Sequence, residues 1–121
     1  MTPRVFVVQR QLRWDEQAQG LVSKFDLEPA KEHGDLVFLL GSNASPFSPK
    51  NIIPELHTKL SDFSDQDHLL LIGNPCLIGW ATSIAADYNE GRVSLLQWSG
   101  KDRRYVSVRA SLFDWPQNSG V

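Results

Sequence analysis

The sequence predicts a small single-domain mixed α/β fold: about six strands and two main helices, with parallel strands at the centre. Two runs, residues 36–40 and 68–72, are almost wholly apolar rather than alternating. That is the habit of strands covered on both faces. Each run is followed by a turn-rich loop and then by apolar residues at helical spacing, the pattern of a strand-helix-strand unit. The chain has 121 residues, 41% hydrophobic and 21% charged. That is enough for one core, too short for two domains, and unlike a disordered chain.

"RVFVVQRQLRW" is rich in β-branched and aromatic residues, and "LVSKFDL" follows after the polar "DEQAQG"; together they read as one long hairpin. In "EPAKEHG", Pro29 opens a single helical turn and Gly34 closes it. After the strand at 36–40 comes the loop "GSNASPFSP", then Ile52, Ile53, Leu56 and Leu60 at helical spacing. Pro54 limits how early that helix begins, so Asn51 is expected to start it rather than Ser48. The strand at 68–72 leads into "NPCLIGWATSIAADYNEG", a helix with Asn74 as N-cap, Pro75 in its first turn and Gly91 near its end. Gly79, Ala81, Ala85 and Ala86 keep that helix thin for close packing, and Trp80 is expected in the core. "RVSLLQW", the turn "SGKD" and "RYVSVRASL" complete the strands. In the last, Val106, Val108, Ala110 and Leu112 alternate with Tyr105, Ser107, Arg109 and Ser111, so one face is wet and the strand lies at or near an edge. The domain spans residues 1–113, and 114–121 form a tail that includes Trp115. Right-handed crossovers make the strands at 36–40, 68–72 and 92–98 parallel, with antiparallel strands added at the sheet's ends. The first two are expected to be central, adjacent or one strand apart.

A formal charge of −2 gives no general attraction to nucleic acid or anionic lipid. The charge is uneven: "GKDRRYVSVR" is basic and residues 55–67 are mostly acidic. The lone cysteine excludes an internal disulfide and a multi-cysteine metal cage, and His33, His57 and His68 lack ligand spacing. No cofactor and no metal are expected. Only four apolar residues run together before Gln9, too few for a signal-peptide core or a membrane span. The expected setting is the cytoplasm of a bacterial host, with no membrane partner.

In open α/β sheets ligands bind outside the carboxyl ends of the parallel strands. Three loops fall there: "GSNAS" (41–45), "GNPC" (73–76) and "WSGKD" (98–102). Ser42, Asn43, Asn74, Cys76 and Ser99 are the candidate contacts for an anionic, nucleotide-like ligand at the helix start. Glycine, serine and asparagine are equally what strand-to-helix turns need for capping, and neither a Walker lysine nor G-x-G-x-x-G is present. Cys76 has no base or anion cradle near it in sequence, so it is expected to be mostly buried and inert. No catalytic residue is assigned. Trp14, Trp98, Lys101, Arg103 and Arg104 are the candidate interaction surface, since exposed aromatics beside arginines suit a protein hot spot or a single-stranded nucleic acid. The alternative for the tryptophans is that they cover the sheet's open ends.

"FDLEPAKEHGDLVFLL", "LLLIGNPCLIGWATSIAADYNEGRVSLLQWSG" and "RRYVSV" resemble a group of small uncharacterised bacteriophage and prophage proteins, over nearly the whole chain. The resemblance implies a role accessory to phage replication or host takeover and carries no catalytic residues with it. The leading expectation is therefore a non-enzymatic phage accessory protein that binds a protein of the host or phage replication, transcription or defence machinery. The alternatives are a small anionic-ligand binder using the three loops and a weak single-stranded nucleic acid binder using the basic hairpin.

Overall fold

A computed structural model describes residues 2–115. The expected tail lies outside the described residues beyond Trp115. The elements are β1 (Arg4–Gln9), β2 (Leu12–Asp15), β3 (Gly20–Ser23), a 3-10 segment (Glu28–His33), β4 (Asp35–Leu40), α1 (Pro49–Leu60), β5 (His68–Leu70), α2 (Pro75–Tyr88), β6 (Arg92–Ser99) and β7 (Arg104–Ser111). They form an α/β fold: a five-stranded mixed sheet in the order β4-β1-β5-β6-β7 and a separate β2-β3 ribbon. The first four strands of the sheet run parallel, and β7 is antiparallel to β6.

The expected long hairpin is corrected. The chain breaks after Gln9; β1 enters the middle of the sheet, while only β2 pairs with β3. Val5 to Val8 are at most 1% exposed. Their unbroken apolar run is the same signal as at 36–40, and burial on both faces is how such a run is satisfied. The central place expected of residues 36–40 is corrected with it. β4 is an edge strand one position from β5, with β1 between them. Its apolar character is explained by cover on both faces: Leu39 packs among the helices, and Leu36 and Phe38 pack on the opposite side.

Two cores follow from the strand alternation. On one face Phe6, Val8, Leu69 and Val93 meet Leu56 and Leu60 of α1 and Leu77, Ala81 and Ala85 of α2. On the other, Val5, Val7, Leu70, Leu96 and Tyr105 close around Ala30 of the 3-10 segment. That segment has a proline in its first turn and ends at Gly34, as the sequence predicts. α1 begins at Pro49, two residues before the expected start, with Ser48 in the cap position. Pro54 leaves the Lys50 carbonyl without a helical donor, and Lys50 is an exposed residue, where water can take the donor's place.

α2 starts as expected: the Asn74 side chain accepts the Cys76 N–H at 2.9 Å. Cys76 itself is exposed, a correction to its expected burial. The stripe that meets the sheet begins at Leu77, and a residue one step earlier is turned about 100° away. Trp80 is half-buried at the margin of the helix-side core. In β7 the wet face is the apolar one. Val106 and Val108 are 42% and 49% exposed while Tyr105 is buried, because Tyr105 belongs to the covered core and, among the described residues, no helix packs on the strand's other side.

Candidate functional site

Three features gather at or near the carboxyl ends of the strands: a filled crevice, an apolar groove and a basic turn. The crevice lies between β1 and β5, where the connections leave the sheet toward opposite faces and a ligand is expected. Gln9 fills it. This glutamine is 4% exposed, and its Nε2 donates to the Gly41 and Ala44 carbonyls at 3.4 and 3.2 Å and reaches the Ser42 carbonyl at 3.5 Å. Its Oε1 accepts the Asn74 N–H at 2.9 Å. One buried amide therefore ties the loop at 41–45 to the start of α2, using polar groups that would otherwise point at a ligand. Gly73 makes room for it: a Cβ there would lie 2.6 Å from Gln9 Cβ.

The structure thus brings Ser42, Asn43 and Asn74 onto the two loops joined by Gln9. Cys76 stands exposed on the first turn of α2. Ser99 lies apart at the end of β6, where its Oγ donates to Asp102 at 3.2 Å and accepts the Asp102 N–H. A ligand at the helix start would have to displace Gln9.

Beside the filled crevice the sheet splays. β5 and β6 are in register for only two residue pairs, against five between β1 and β4, and the chain beyond Leu70 follows β1 instead, with the Gln9 N–H bonded to the Ile72 carbonyl. The gap opens into a groove of about 890 Å³. Its floor is Leu70, Ile72 and Leu96; Phe25 and Pro29 form one wall, and Trp98 and Tyr105 the other. Trp98 is 45% exposed. Its ring meets that of Tyr105 edge-on, centroids 5.0 Å apart, and stands half in solvent. Lys24, Asp26, Gln11 and Gln97 supply the polar lining. The sequence marks Trp98 but not Phe25 or Pro29, since only the path of the chain between the ribbon and β4 brings them there.

Lys101 and Arg103 are exposed on the turn between β6 and β7. Arg104 is bound to Glu32 of the 3-10 segment, which removes it from the free basic cluster. Trp14 is 56% exposed on the ribbon and does not line the groove.

A buried polar chain crosses the sheet beneath. His68 Nδ1 and Ser94 Oγ share a hydrogen bond of 2.6 Å, and Ser94 Oγ another with Ser107 Oγ. His33 Nε2–H donates to the Tyr105 carbonyl at 2.8 Å, and its ring meets the His68 ring edge-on. The serine-histidine contact has the atoms of a nucleophile and a base, but at 3% and 7% exposure neither residue is open to a substrate. Its effect is on stability. Burial pushes the His68 pKa below 6.5, and the neighbouring His33 and Arg109 push it further, against Asp67. The unfolded chain therefore binds this proton more readily than the folded one, and stability falls as pH drops below about 6.5. Denaturant midpoints should decline between about pH 7.5 and about pH 5.5, and His68→Gln should flatten that limb. A midpoint constant over this range would contradict the assignment.

Among the described residues no group of His, Cys, Asp and Glu is placed to hold a metal ion, and no helix is long and apolar enough to cross a membrane. A family described as "Phage Pam3 gp32-like protein" matches residues 3–112. No curated protein and no solved structure matches the chain.

Proposed function

We propose that this chain, which belongs to the phage Pam3 gp32-like family, is an accessory protein that acts by binding another protein of the host or phage replication, transcription or defence machinery. The observation that carries the reading is the groove walled by Phe25, Trp98 and Tyr105. A half-exposed tryptophan packed on a tyrosine beside an apolar floor is the form of a hot-spot pocket. Trp98 would receive an apolar anchor of the partner, with Lys24 and Asp26 at the rim giving orientation. The filled crevice counts against the anionic-ligand reading.

Affinity capture from host lysate with the native chain and with Trp98→Ala tests the proposal. A partner retained by the native chain should be lost or bound at least tenfold more weakly by Trp98→Ala, while Trp14→Ala on the ribbon should capture it normally. Equal capture by native chain and Trp98→Ala would remove the groove from the interface.

The nucleic acid reading has one observation in its favour, the exposure of Lys101 and Arg103 beyond the end of β6, which Trp98 occupies. With Arg104 engaged by Glu32, about two phosphates would be neutralised there, giving a salt slope near −2 or shallower.

A further inference from the structure

We propose that the uncovered face of β7 packs against the same face of a second copy of this chain, the two strands running antiparallel about a two-fold axis. Val93 of β6 is the registered partner of Ala110 of β7, and Leu95 of Val108. Side chains paired in this way share a face. Yet Val93 is 4% exposed under the helices, while Val106 and Val108 are 42% and 49% exposed and Leu112, just past the strand, is 53%. Among the described residues the helical layer stops at β6, leaving a contiguous apolar row exposed. On a monomer, such a patch marks an interaction surface.

Charge selects the occupant and its direction. Ahead of β7, Lys101 and Arg103 are exposed and belong to none of the ion pairs among the described residues. At the far end, Leu112 bonds back to Gly91 and Phe113 lies over that glycine, so their chain neighbours Asp114 and Glu90 flank the end of the row. Both are exposed, and the Glu90 side chain, 85% exposed, has only a 3.4 Å contact with Arg92. Arg92 and Arg109, the cations at this end, are turned to Asp65. One copy's basic turn therefore matches the other's acidic end, twice over, when the strands are antiparallel; a parallel arrangement would set like charges together. An isologous contact needs a surface that is complementary to itself, and this row meets that condition. One strand's face is a small area, so the association is weak and salt-sensitive.

Sedimentation equilibrium of the full chain tests this. The native chain should show a concentration-dependent monomer–dimer equilibrium that weakens as salt is added. Val106→Asp with Leu112→Asp, both at exposed positions, should weaken it at least tenfold with the circular dichroism unchanged. Lys101→Glu with Arg103→Glu should weaken it also, and adding Glu90→Lys with Asp114→Lys should restore it. Val108 also lines the partner groove, but Trp98 shares the opposite face of the sheet with its registered partner Tyr105. Trp98→Ala should therefore leave the dimer unchanged while weakening capture at the groove, which tells the two proposals apart. A chain that stays monomeric up to about 1 mM would overturn the proposal and leave the face to a different protein. A dimer indifferent to Val106→Asp and to the charge reversals would overturn it by placing the contact elsewhere.

Discussion

Replacing Asp67 by alanine is expected to lower the unfolding free energy by about 3 kcal/mol, a large share of the total for a domain of this size. The Asp67 side chain is 3% exposed. Its two oxygens accept from the Arg4 backbone N–H at 3.2 Å, from Arg4 Nε at 3.1 Å and Nη2 at 2.8 Å, and from both the N–H and the hydroxyl of Ser64. The carboxylate thereby pins the start of the central strand to the loop before β5. Alanine would leave these donors unmatched at a part-buried site. Arg4 would keep a bridge to Asp62 at 3.2 Å, which is why the expected loss is below the top of the range for a broken buried pair. Burial pushes the Asp67 pKa up, but the hydrogen bonds from Arg4 and Ser64 and the charge of Arg4 outweigh it and hold it below 3.8. Because the folded value is the lower one, this stabilisation is complete above the unfolded pKa and is lost as pH falls through the folded one. It therefore forms an acid limb distinct from that of His68, which starts near pH 6.5. Chemical denaturation of Asp67→Ala beside Asp62→Ala checks the reading. A loss no larger than that of the exposed Asp62 would show that Asp67 is a solvated surface charge.

The difference between these two aspartates shows where a sequence stops being legible. Both lie in the acidic stretch of residues 55–67, and nothing local separates them; Asp67 is buried because Arg4 arrives from 63 residues away. Most signals that depend on neighbours in sequence are read correctly, the Asn74 cap and the prolines and glycines that bound the 3-10 segment and α2 among them; the start of α1, inferred from Pro54, is the exception. The apolar run at 36–40 and the first three residues of the run at 68–72 do report cover on both faces, while Leu71 is left exposed past the end of β5; cover is not position, and β4 obtains it at an edge from helices on one side and the 3-10 segment on the other. The run at Val5 to Val8 carries the same signal, disguised by the alternating Leu12 and Trp14 that follow it. In β7 the alternation is visible, but which face is wet depends on where the helical layer ends. The groove is legible only at Trp98, because Phe25 and Pro29 reach it through the fold.

The second large effect is expected at the filled crevice, where Gly73→Ala should cost about 3 kcal/mol or more. Gly73 has φ = 137°, a conformation that side chains with a Cβ rarely adopt, and its Cβ would stand 2.6 Å from Gln9 Cβ and 3.0 Å from Gln9 Oε1. Relief by moving Gln9 is blocked. Its amide is held by the 41–45 loop and by the Asn74 N–H, and its own backbone N–H by the Ile72 carbonyl at 2.9 Å. Shifting the glutamine would break several of these bonds at once and expose the polar groups of both loops inside the sheet. Gly79→Ala is the control: it lies in α2 with nothing within 4 Å of the added Cβ, and should stabilise by about 1 kcal/mol through helix propensity alone. Thermal and denaturant unfolding of the two variants should therefore move in opposite directions. Hydrogen exchange in Gly73→Ala should show the first turn of α2 and the 41–45 loop losing protection together, since one side chain joins them. If Gly73→Ala unfolds like the native chain, Gln9 is not the fixed plug that closes the crevice, and the helix start is open to an anion after all.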